Sequence, residues 1–141
     1  MKVREIATTK LKMVTPEFAL RNVRDLFVNN DFRHLPVVDE GRGVVGIVSE
    51  RELEASARFA REFGGDRDEY EEFLDQPVSK FLKSRFGDLE GLVCVEADET
   101  VQEAARLLVD ERLSALPVVD EEGELFGIVS YVDILRSLCD L

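Results

Sequence analysis

The chain is poor in the residues on which most catalysis depends. Its 141 residues include one histidine, His34, and two cysteines, Cys94 and Cys139. Catalysis needs a nucleophile beside a base, a paired acid and base, or a metal held by several ligands. His34 has no local Cys or Ser partner pattern, and the many carboxylates fall on expected helix faces and turns, where solvated surface is the simpler account. Neither cysteine has a second Cys or a His at metal-ligand spacing, and the two could form at most one bridge. Both are expected to be buried free thiols, since unpaired cysteine behaves as a small core hydrophobe. A Gly-x-x-x-x-Gly-Lys loop is absent, as is a dinucleotide fingerprint after a strand. The expectation is a protein without catalytic residues or a metal requirement.

Positive charge is also scarce. Eighteen Lys and Arg stand against 30 Asp and Glu, a net charge of −12. Such a chain repels phosphate backbones and anionic lipids, and it has no basic stripe to offset this, so neither nucleic acid nor a membrane is an expected partner. No apolar run approaches the roughly 20 residues of a membrane helix. Met1-Lys2-Val3-Arg4-Glu5 lacks the continuous apolar stretch of a secretion signal, and a cytoplasmic location is the expectation. What is present, 45% hydrophobic and 34% charged residues, is the composition of a globular protein.

The informative feature is an internal repeat. Leu35-Pro36-Val37-Val38-Asp39-Glu40 recurs as Leu116-Pro117-Val118-Val119-Asp120-Glu121, and Gly46-Ile47-Val48-Ser49 as Gly127-Ile128-Val129-Ser130, both at an offset of 81. Between 13–56 and 94–137, aligned without a gap, 14 of 44 positions are identical, and they cluster in blocks. The chain is a duplication.

Within each copy the apolar spacing assigns the elements. Leu20, Val23 and Phe27, and their equivalents Val101, Ala104 and Leu108, form a helical stripe. Thr15-Pro16-Glu17 reads as cap, N1 proline and first-turn acid, and Asp98-Glu99 can begin the second copy's helix. Leu35–Val38 and Val44–Val48 read as strands joined by a turn at Asp39-Glu40-Gly41. Ser49 and Ser130 then each open a further helix.

Val3-Arg4-Glu5-Ile6 resembles Val78-Ser79-Lys80-Phe81 at an offset of only 75, which leaves six extra residues before Cys94. With Gly87, Asp88 and Gly91 among them, they suggest a longer exposed loop. Between the copies, Phe59 and Phe63, a Gly64-Gly65 break, and Tyr70, Phe73 and Leu74 read as an extended helix, a hinge and a short helix.

The order helix, Leu-Pro-Val-Val-Asp, turn, Gly-Ile-Val-Ser-x-x-Asp/Glu, helix resembles the cystathionine-β-synthase-type (CBS) module, over both copies and nearly the whole chain. The resemblance implies an α/β fold of two tandem β-α-β-β-α modules packed as a pseudo-two-fold pair. Residues 1–62 would form the first module, 63–76 a connecting hinge and helix, and 77–141 the second. It further implies a regulatory protein that binds adenosine compounds such as AMP, ADP or ATP, with S-adenosylmethionine less favoured, in clefts between paired modules. A homodimer is expected, together with a regulated protein that the sequence does not identify.

The family's nucleotide loop maps onto Ser130 and Asp133. A carboxylate there can accept hydrogen bonds from ribose hydroxyls, while Ser130 and the helix N-terminus can hold phosphate. Ser130-x-x-Asp133 and Ser49-x-x-Glu52 are equally serviceable capping boxes. In the first copy Glu52 replaces the expected Asp, one methylene longer, which makes that site the less favoured of the two. The first copy nevertheless carries Arg33 and His34 where basic residues of similar modules face phosphate, against Ser114 and Ala115 in the second. Lys10, Lys12 and Arg51 are further candidate counter-ions, and an exposed strand end would also account for Arg33 and His34. The adenine slot implied by the resemblance lies at Met13-Val14-Thr15, Cys94-Val95-Glu96 and Ala115-Leu116, which core packing explains as well. A ligand-free dimerisation or protein-interaction scaffold is the alternative function.

Overall fold

A computed structural model of the chain describes residues 1–86 and 92–139, with residues 83–86 described by their backbone only. The expected loop around Gly87, Asp88 and Gly91 lies outside the described residues.

In the first copy α1 (Leu20–Val28) leads to the hairpin β1 (His34–Asp39) and β2 (Gly43–Ser49), followed by α2 (Glu50–Phe63). The connector holds α3 (Arg67–Asp75) and α4 (Val78–Phe86). The second copy repeats the plan as β3 (Val95–Glu96), α5 (Val101–Asp110), β4 (Ala115–Val119), β5 (Leu125–Ser130) and α6 (Tyr131–Cys139). Each hairpin is antiparallel and slips register once, between Val37 and Val38 in one and between Val118 and Val119 in the other. The duplication thus extends to a backbone irregularity. The parallel first strand β3 pairs with β4. Its counterpart in the first copy shrinks to Val14, which donates to Pro36 O at 3.1 Å and accepts from Val38 N at 2.8 Å.

The helical stripes are buried as expected: Leu20, Val23 and Phe27 in α1, Ala104 and Leu108 in α5. Two helix starts differ from expectation. α1 begins at Leu20 after Ala19, because Pro16 and Phe18 spend their backbone groups on Ser79 and Val78. α5 is capped by Thr100, whose hydroxyl accepts from Glu103 N at 3.1 Å, and not by Asp98, which pairs with Arg4 at 2.7 Å. A third expectation also changes. Both cysteines are free, but Cys94 is only half-buried and Cys139 is exposed, since the last turn of α6 turns it outward.

The two hydrophobic cores do not follow the linear division at residues 62 and 77. Val3 is fully buried in the second core, with Val95, Leu116 and Val129. Val78, Phe81 and Leu82 lie in the first, with Leu35 and Leu53. Val3 N donates to Glu99 O at 2.9 Å, and Thr8 and Ile128 exchange backbone bonds at 2.9 and 3.0 Å. Val78 N donates to Phe18 O at 2.7 Å. The leading segment of each copy therefore completes the other module. Fully burying even one such Val or Leu contributes about 1.5–3 kcal/mol, which ties the two modules together. The connector is pinned by charge: Arg24 reaches Glu54 at 2.9 Å and the Tyr70 hydroxyl at 3.0 Å, and Arg21 pairs with Glu71 and Asp75.

Candidate functional site

The β1–β2 hairpin of one module faces β4 of the other. Between them lies a cleft of about 260 Å³, lined by His34, Ser49 and Glu52 from the first module and by Glu111, Leu113, Ser114, Ala115 and Pro117 from the second. Leu82, Leu92 and Val93, from the segment joining the modules, add apolar wall. The volume sits just below the about 300–1,000 Å³ of typical small-molecule pockets.

Each lining residue is positioned by its element. Ser49 ends β2 and caps α2, its hydroxyl accepting from Glu52 N at 3.0 Å, so Glu52 sits in the first turn of α2 at the cleft wall. Gly46 allows Leu82 to close over β2, because a Cβ there would lie 2.7 Å from a Leu82 methyl. His34 Nε2 and Ser114 Oγ are hydrogen-bonded at 3.0 Å across the module boundary. Burial pushes the His34 imidazole below its ordinary pKa, opposed by the nearby Asp133 carboxylate. His34 thus enters the cleft as a neutral ring at neutral pH. Burial also raises the Cys94 thiol, which makes it a poor nucleophile.

Five of the residues singled out from sequence meet in this cleft: His34, Ser49, Glu52, Ser114 and Ala115. Five do not line it. Arg33 is exposed and paired with Glu50 at 2.7 Å. Met13 and Thr15 are exposed on either side of buried Val14. Ser130 and Asp133 close on each other: the Asp133 carboxylate accepts from Ser130 N at 2.8 Å and from Ser130 Oγ at 3.0 Å, while Asp133 N donates back to Ser130 Oγ at 3.2 Å. That is a complete capping box. Ser49 and Glu52 form only one half of such a box, the bond from Glu52 N to the Ser49 hydroxyl, and Glu52 lines the cleft. Lys10, Lys12 and Arg51 are exposed and outside the cleft lining. Glu111 and Leu113 were not legible as site residues, because they follow a helix end and meet the cleft only through the pairing of modules. Among the described residues no cluster of His, Cys, Asp and Glu could hold a metal ion, and no helix is long and apolar enough to cross a membrane.

The fold agrees with that of related proteins. The CBS domain family matches residues 3–55 and 87–140. The chain belongs to the CBS domain family. It is 31% identical over 140 residues to a 17.7 kDa protein of Acidianus ambivalens, covering 99% of this chain and 74% of that one. It is 30% identical over 151 residues to the CBS domain-containing protein CBSX1 of Arabidopsis thaliana, covering 96% of this chain and 63% of the relative. Among solved structures, CBSX2 in complex with AMP superposes with a TM-score of 0.70 at 25% identity, over 99% of this chain and 96% of the other. The tandem CBS pair inferred from the repeat is therefore the fold of this protein.

Proposed function

We propose that this CBS pair is a regulatory protein that binds an adenosine-containing ligand, AMP, ADP, ATP or S-adenosylmethionine, in the cleft between its modules. The observation that carries the reading is the cleft itself, which joins His34, Ser49 and Glu52 of one module to Ser114 and Ala115 of the other around apolar walls. Leu82, Leu113 and Pro117 offer surface for a flat purine, and the Glu52 carboxylate can accept hydrogen bonds from ribose hydroxyls. The AMP complex of CBSX2, which shares the fold, supports the same ligand class.

A ligand held by both modules favours the module arrangement to which it binds more tightly, and no other source of switching is needed. The signal is read by a regulated protein or through assembly. The assembly is a homodimer, for which the support is an apolar face on each of the helices that follow the hairpins. Phe59 and Phe63 of α2 are 65% and 71% exposed, and Leu135 and Leu138 of α6 are 52% and 75% exposed. Those faces also favour the second reading, a dimerising scaffold without a ligand.

Isothermal titration with AMP, ADP, ATP and S-adenosylmethionine, a guanine nucleotide as control and Glu52→Ala alongside, separates the two. Saturable adenine-selective binding that weakens in the variant supports the sensor. Absence of heat with every compound leaves the scaffold.

A further inference from the structure

Resting on the reading of the cleft as an adenosine site, we infer that Glu52 and Glu111 make it selective for nucleosides whose 5′ substituent is neutral or cationic, against 5′-phosphates. Glu52 lines the cleft from the first turn of α2 and Glu111 from the C-cap of α5, so an acidic residue of each module borders the same space. Among the described residues that line the cleft there is no Lys or Arg. Arg33 is exposed and already committed to Glu50, and Arg51 and Arg112, neighbours in sequence of Glu52 and Glu111, are exposed and outside the lining. His34, kept below its ordinary pKa by burial, adds no cation at neutral pH.

A phosphate bound here would give up its hydration and meet like charge in a partly enclosed space, where charges interact more strongly than in water. The net charge of −12 adds to that field. A methylthio group meets none of this repulsion, and a sulfonium is attracted. The purine contact with the apolar wall and the ribose contact with the Glu52 carboxylate are common to every adenosine compound and do not distinguish among them. Selectivity is thus set by the far end of the ligand.

The test is a titration of the intact chain with adenosine, 5′-deoxy-5′-methylthioadenosine, S-adenosylmethionine, AMP and ATP. It is followed by the methyl resonance of Ile47, which lines the cleft, so that binding elsewhere is not counted. The neutral and cationic compounds are expected to bind at least about tenfold more tightly than AMP. Added salt should narrow that gap, because screening relieves repulsion of phosphate and leaves a neutral nucleoside unaffected. Glu111→Gln, which keeps the size and removes the charge, should shift the AMP to methylthioadenosine affinity ratio several-fold toward AMP.

AMP or ATP binding as tightly as methylthioadenosine would overturn the selectivity while leaving the adenosine site standing. A gap that neither salt nor Glu111→Gln narrows would overturn the electrostatic origin. An Ile47 signal that no adenosine compound moves would remove the site and the inference together.

Discussion

His34 Nε2 and Ser114 Oγ, 80 residues apart in sequence, are hydrogen-bonded at 3.0 Å where the two modules meet. The bond joins the start of β1 to the residue before β4, and the imidazole beside it is partly buried. Because burial depresses the folded-state pKa of His34, the unfolded chain takes up the proton first as pH falls. Stability is therefore full above the ordinary histidine value and is lost progressively below about pH 6.5, down to the folded-state pKa. His34→Asn should flatten this part of the pH profile of urea unfolding. A profile identical to that of the parent chain would show that the buried imidazole does not contribute.

Gly46 and Gly127 occupy equivalent places in β2 and β5, but an added methyl would meet different neighbours. At Gly127 a Cβ would lie 2.6 Å from the Thr8 carbonyl oxygen, part of the backbone pairing that docks the N-terminal segment. At Gly46 it would meet a Leu82 methyl, the end of a side chain and not backbone. Gly127→Ala is expected to cost about 1–3 kcal/mol and Gly46→Ala less, measured by urea denaturation. Equal losses would contradict this difference.

Asp133 and Glu52 should separate stability from binding. Asp133→Ala removes a full capping box and is expected to lower stability by about 1 kcal/mol. Glu52→Ala leaves the Ser49 hydroxyl bond to the α2 backbone in place and should cost less stability while weakening nucleoside binding. Thermal unfolding and titration of both variants decide the matter. Loss of binding in Asp133→Ala alone would move the ribose contact to the second module.

Phe59→Glu combined with Leu135→Glu places charge on both exposed helix faces. Light scattering after gel filtration is expected to give half the mass of the parent protein, with the circular dichroism of the monomer retained, since neither side chain belongs to a core. An unchanged mass would exclude these faces as the dimer contact.

The sequence by itself determined the repeat, the element order and the buried stripes, because period and turn chemistry are local properties that a linear reading detects. Ser49 was legible as a helix cap for the same reason: the residue that ends the strand and the residue that caps the helix are one. Tertiary structure decided the rest. Val3 resembles Val78 in sequence, yet each is buried in the module of the other copy, since the apolar face that receives it is created only when the modules pair. Ser130 and Asp133 carry the better motif, but their groups are spent on one another, while Glu52, with the poorer match, faces the cleft. Glu111 joins it there from a helix end with no motif at all. Which carboxylate is free to meet a ligand depends on hydrogen bonds already made and on surfaces brought together from both copies, and spacing along one chain encodes neither.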